Sequence, residues 1–167
     1  MNSRFNPLLT AGLDGSRAPT HLRLSPEETV ALDVGDPDRL QSWRDFCDRY
    51  VVPPEDHEKL YTCGAGIHTF HIDPYGNLSA CMSARHPKYD LQHGTFHYGW
   101  MTFIKGVINQ ARTTETDCGT CKLIYLCGQC PGWAQLEHGY QNQEERVDYL
   151  CRIAHLRARA FDIPESP

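Results

Sequence analysis

Cys118-Gly119-Thr120-Cys121 and Cys127-Gly128-Gln129-Cys130-Pro131 place four thiols within thirteen residues. A CxxC loop turns tightly enough to direct two sulfurs at one metal, and soft thiolate ligands select zinc or iron–sulfur clusters. Gly119, Gly128 and Gly132 keep this backbone compact and let amide N–H groups point at sulfur. Iron–sulfur sites favour such runs because hydrogen bonds to the sulfurs offset the cluster's negative charge. Zinc sites also use CxxC pairs, ordinarily about fifteen to twenty residues apart. Here the gap runs only from Lys122 to Leu126. The run therefore reads first as iron–sulfur and second as zinc.

The remaining thiols need elements to carry them. Ile67 to Ile72 alternates as a strand, Asp73-Pro74-Tyr75-Gly76-Asn77 has turn chemistry, and Leu78 to Cys81 returns. Cys63 and Cys81 flank this expected hairpin at its open end. Cys151 falls on the apolar face Val147, Leu150, Cys151, Ala154, Ala158 and Phe161 of a helix expected over about Glu144 to Phe161. Cys47 shares a helix face with Leu40, Trp43, Phe46, Tyr50 and Val51, over about Pro37 to Val51, and reads as a core thiol. Ser25, Pro26 and the acids Glu27 and Glu28 start a short helix that ends near Asp33 to Gly35. Trp100, Phe103, Ile104, Val107 and Ile108 form the stripe of another, expected from Trp100 to Ala111, after an irregular stretch from Met82 to Leu91. Phe5 to Leu9 reads as an edge strand leading into a polar arm from Gly12 to Thr20. Pro53-Pro54 opens a linker that runs through Lys59.

A chain of 167 residues with 40% apolar content, eleven prolines and thirteen glycines suits one loop-rich domain of short elements. The fold class expected is α+β, a small β-hairpin plus helices around two cysteine-ligated clusters. A net charge of −5 without a basic block argues against nucleic acid as a partner. No run reaches the length of a membrane span, and no apolar segment follows Met1. The expected setting is cytoplasmic, with reduced thiols available for metal; a disulfide scaffold is the weakest reading of the eight cysteines. His68 and His71 fall on opposite faces of the expected strand and form no helical metal pair, and Asp73 reads as a turn residue. No Ser-His-Asp arrangement, P-loop or dinucleotide fingerprint occurs.

The cysteines read Cys63-x12-Gly76-x4-Cys81, then Cys118-x2-Cys121-x5-Cys127-x2-Cys130, then Cys151. This order resembles the SPASM domain, the C-terminal extension of radical S-adenosylmethionine enzymes that modify peptides. The resemblance covers residues 61–161; residues 1–24 resemble the end of the partial barrel in such enzymes, and residues 25–60 form a helical linker. It implies two auxiliary [4Fe-4S] clusters, the first held by Cys63, Cys81 and Cys130, the second by Cys118, Cys121, Cys127 and Cys151. Cys47, solvent or a substrate group would complete the first. Two departures stand out. Only Gly128-Gln129 separates the last two closely spaced cysteines, where the family has three residues. The CxxxCxxC motif of the radical core is absent from this sequence, so the chain is not expected to be active alone. S-adenosylmethionine enters only if a radical core is supplied by missing sequence or a separate chain. The expected function is electron transfer or positioning of a peptide substrate for that core, and a zinc-stabilised, non-enzymatic binding module is the alternative.

Overall fold

In a computed structural model, residues 8–50, 59–113, 117–119 and 121–164 are described. Helix α1 (Pro26–Gly35) starts at a complete capping box. Ser25 Oγ accepts from the Glu28 amide at 3.1 Å, and the Glu28 carboxylate accepts from the Ser25 amide at 2.8 Å. Asp36 Oδ1 then accepts from the amides of Asp38 and Arg39 and opens α2 (Pro37–Tyr50). The linker expected from Pro53 to Lys59 lies almost wholly outside the described residues.

Three short antiparallel strands follow: β1 (His71–Ile72), β2 (Asn77–Ser79) and β3 (Tyr89–Asp90), in the order β1-β2-β3. His71 pairs with Ser79, and Leu78 lies between Ile72 and Tyr89. The expected hairpin is present, but its first strand is shorter than Ile67 to Ile72. Residues 65 to 69 turn instead, with the Gly66 amide donating to the Thr69 carbonyl at 2.8 Å. The stretch from Met82 to Leu91, expected to be irregular, supplies β3. The turn is held by Asp73, whose Oδ1 accepts from the amides of Tyr75 and Asn77. Those donors hold its carboxyl down at about 2.

A helical rod comes next: α3 (Phe96–Tyr98), a π-helical stretch (Gly99–Ile104) and α4 (Lys105–Ile108). It begins four residues before the expected Trp100, capped by Thr95 Oγ1, and stops before Ala111. Gly99 lets the rod lie directly on the sheet, since a Cβ there would fall 2.7 Å from Tyr89 and 2.8 Å from Leu78. Then come α5 (Ile124–Cys127), α6 (Pro131–His138) and α7 (Asp148–Ala160). α7 starts later than the expected Glu144, because the Glu144 carboxylate is engaged by the Thr113 amide and hydroxyl.

Two cores result. One joins α2, α5 and α7 through Cys47, Leu126, Val147, Leu150 and Ala158. The other joins sheet and rod through Leu60, Tyr61, Leu78, Ile104 and Val107. Leu78, Ile104 and Leu150 are fully buried, each contributing about 1.5–3 kcal/mol by leaving water. The α+β class holds in this mixed helical fold with a small antiparallel sheet. No helix among the described residues is long and apolar enough to cross a membrane.

The arm folds back on the chain. Of the expected edge strand, Leu8 and Leu9 are irregular and the rest lies outside the described residues. Ala11 is buried, and the Arg23 guanidinium donates to the Leu9 carbonyl and to Glu137. It also lies over the Tyr149 ring, 4.6 Å from its centroid.

Candidate metal centre

Cys118, Cys121, Cys127 and Cys151 line one cavity, together with Leu123, Ile124 and Ala154. Short local structures put them there. Cys118 sits in a 3₁₀ turn (Asp117–Gly119), and α5 ends on Cys127 with Gly128 in the left-handed region at φ +71°. That reversal is one an L side chain would resist. Gln129 then bridges to the start of α7, donating to the Glu145 carbonyl at 3.0 Å and accepting from the Val147 amide at 3.1 Å. This link fixes the cysteine run against the helix that carries Cys151.

The thiols of this group act on one another. Burial pushes Cys127 up to about 12, and negative charge on Cys118, Cys151 and Cys121 pushes the same way. Cys118 is raised first by burial and then by Cys121 and Cys151, while Arg112 and Arg146 pull it down. Without metal, burial favours the protonated form of Cys118 and Cys127. A metal's positive charge reverses that balance.

Cys130 belongs elsewhere. It is the N-cap of α6, in extended backbone, and its Sγ accepts from the Trp133 amide at 3.4 Å. Burial raises it most, then charge on Cys63 and Cys81. Cys81 lies in the turn after β2, where its Sγ accepts from the amides of Ser83 at 3.2 Å and Ala84 at 3.3 Å. Cys63 is exposed. Gly132 lets α6 press on the Cys81 turn, since a Cβ there would stand 2.8 Å from the Ala84 nitrogen. Gln135 and His86 complete the seam by exchanging hydrogen bonds, His86 N donating to Oε1 and Nε2 donating to the His86 carbonyl.

Cys47 is buried in the core with Leu126, Cys127 and Leu150, not among Cys63, Cys81 and Cys130. Burial, not another thiol, is the main cause of its raised pKa. Asp73 serves its turn. Trp133 packs on the α2–α5–α7 core and donates from Nε1 to Glu137 at 2.8 Å, whereas Tyr140 is exposed and lies tilted against the His86 ring.

Sequence reasoning missed the polar groups around the thiols. Among the described residues, Tyr61 Oη and Arg112 Nε are two of three buried side-chain atoms without a hydrogen-bond partner, His138 Nε2 being the third. Tyr61 feels the charge of Cys81, Cys130 and Cys63, while Arg112 acts on Cys118 and its Cδ lies near Gly119. A tyrosine two residues before a cysteine gives no signal of that kind. Among the described residues, no three His, Cys, Asp or Glu side chains converge closely enough to hold a single metal ion. The chemistry of the donor set fits a thiolate-ligated iron–sulfur group: seven thiols in two groups, amide donors directed at three of the sulfurs, and two orphaned buried donors. No family model, curated protein or solved structure matches the chain.

Proposed function

We propose that this chain is an auxiliary iron–sulfur domain of the SPASM type, serving a radical S-adenosylmethionine core supplied by missing sequence or a separate chain. The observation that carries the reading is the split of one short run. Cys118, Cys121 and Cys127 line a cavity shared with Cys151, while Cys130, which feels the charge of Cys63 and Cys81, caps the helix whose Gly132 presses on the Cys81 turn. A single zinc knuckle has no need to send its fourth thiol to another site; two-cluster ferredoxins do so, also with proline after that cysteine.

When bound, such clusters supply one-electron transfer. The chain's own residues set the conditions. Amides of Ser83, Ala84 and Trp133 donate to sulfurs of the three-cysteine group, and Gln129 N–H donates to Cys127. Arg112 and Arg146 offset negative charge at the four-cysteine group. Leu123, Ile124 and Ala154 keep its cavity largely apolar. Cys151 also borders an open cleft of about 530 Å³ with Arg146 and His155, giving that group a side from which a partner or peptide can approach. Leu13 and Leu22 stand exposed on the arm, where the resemblance puts the junction with the radical core.

Anaerobic reconstitution followed by iron, sulfide and zinc analysis tests the proposal. About eight iron atoms per chain with matching sulfide is the expected result. Cys121→Ala should remove one cluster and leave the other. About one or two zinc atoms without sulfide would overturn the electron-transfer role and leave a structural zinc module.

A further inference from the structure

Tyr61 ends the approach to the sheet-and-rod core. Its backbone neighbour Leu60 is tied down by donating to the Gln110 carbonyl at 3.0 Å, and its ring is packed with Leu78, Ala80, Ala84 and Ile104. The residue is only 6% exposed, yet its hydroxyl meets no hydrogen-bond partner among the described residues. A buried hydroxyl in that state needs an explanation, and an absent ion or ligand is a standard one. The surroundings say which kind. Cys81 packs on the same core, Ala84 of that core donates to its sulfur, Gly132 two residues after Cys130 presses on the same turn, and Cys63 follows Tyr61 by two residues. Ligating thiolates and bridging sulfides are acceptors with no proton to offer, while a phenol has one proton to give.

We propose that Tyr61 is a positioning residue of the three-cysteine site, its hydroxyl donating a hydrogen bond to a sulfur of the group held by Cys63, Cys81 and Cys130. This inference rests on the proposed metal centre and adds a residue outside its ligand set. A donor to sulfur stabilises the more negative, reduced form of a cluster, so Tyr61 raises the reduction potential of this site relative to a site lacking it. The effect is confined to one group, because Tyr61 packs on the core that Cys81 borders, whereas Cys121 and Cys127 belong to the other core.

The test uses the full chain, reconstituted anaerobically, with Tyr61→Phe, which keeps the ring and removes the donor. Redox titration followed by electron paramagnetic resonance should show one cluster shifted to a more negative potential and the other unmoved, at unchanged iron content. Melting should show a second signature. Metal-free Tyr61→Phe is at least as stable as wild type, having lost only an unpartnered hydroxyl, while the stability gained on metal loading is smaller. A merely structural tyrosine would move both forms equally. If Tyr61→Phe does not load, site-specific replacement by a fluorinated tyrosine, a stronger donor of nearly the same shape, should raise the same potential. Unchanged potentials with an unchanged loading gain would refute the donor and leave the iron–sulfur proposal standing. A chain that takes zinc alone would sink the iron–sulfur proposal, and the melting comparison would still decide on the donor. A chain that takes no metal overturns both.

Discussion

Asp33→Ala is the substitution with the largest expected effect on the fold. Asp33 is fully buried, and its two oxygens hold two guanidinium groups from different helices. Arg157 Nε on α7 donates to Oδ2 at 2.9 Å, and Arg39 Nε on α2 donates to Oδ1 at 2.7 Å. Arg157 is 4% exposed, stacks 4.0 Å from the Trp43 ring centroid, and donates from Nη1 to the Leu126 carbonyl at 3.0 Å. Burial pulls the Arg157 guanidinium down, and the carboxylate of Asp33 is the main influence favouring its charge. Removing the carboxylate leaves that charge buried and unpaired, a loss of about 3–5 kcal/mol. Arg39, partly open to water, can rehydrate. For a chain of this length each kcal/mol moves the midpoint by roughly 2–4 °C, so the melting temperature should fall by on the order of 6–20 °C.

The assay is thermal melting of the metal-free chain, wild type against Asp33→Ala, with Asp33→Leu/Arg157→Met as control. Replacing both partners with apolar groups removes the unpaired charge, so the double variant should recover most of the loss. The Leu126 carbonyl precedes Cys127, so Asp33→Ala should also weaken metal binding at the four-cysteine group more than at the other. A fall below about 1 kcal/mol, typical of a solvated surface pair, would refute the reasoning. So would a double variant as unstable as the single one.

Two other outcomes follow from the proposed metal centre. Gly132→Ala drives a Cβ into the backbone of Ser83 and Ala84, so α6 must lift from the turn whose amides face Cys81; titration with metal should show weaker binding at the three-cysteine group and near-normal binding at the other, and equal loss at both would refute the seam. The second concerns alkaline pH: Cys127 rises from near 9 to about 12 on folding without metal, so the folded chain holds a proton that the unfolded chain releases. The resulting stabilisation is complete below about pH 9 and is lost as pH climbs toward about 12. Denaturant melts of the metal-free, reduced chain should show lower stability at about pH 10 than at about pH 8, and equal stability would mean that solvent reaches the thiol.

What could be read from the sequence was local. Ser25 and Glu28 form a capping box within four residues, and Asp73 to Asn77 a turn in five. The helix carrying Cys47 and Trp43 also announced itself, through a 3.6-residue period. Features made by distant segments were not legible. β3 exists because Leu78 has a pairing partner in Tyr89, which no alternation around residues 89–90 reveals. The start of α7 moved because Thr113 captures Glu144 across the fold. Arg157 stands in the last turn of α7, where a basic residue ordinarily meets solvent, yet it is buried against an aspartate 124 positions earlier. The cysteine spacing suggested a site without showing which polar groups would surround it. Tyr61, Arg112 and Gln129 acquire their places only when the run, the hairpin and α7 meet.

That meeting would give a metal bound at the proposed centre a structural part as well. The two cores are built on different elements, and the run from Cys127 to Gly132 passes from one to the other. Cys127 is anchored in the first core by Leu126 and Leu150, while Gly132 presses on the turn that carries Cys81. Cys63, by contrast, is exposed, and no cysteine of the three-thiol group lies within a strand. Their positions depend on turns and a helix cap, which order few residues for each hydrogen bond made. Metal ligation would supply at those turns the restraint that regular structure does not, and binding energy there becomes folding energy. The four-cysteine group, backed by α5 and α7, is the better organised of the two before loading. It should therefore fill first, fixing Gly128 and Cys130 and so preparing the group that Cys63 and Cys81 complete.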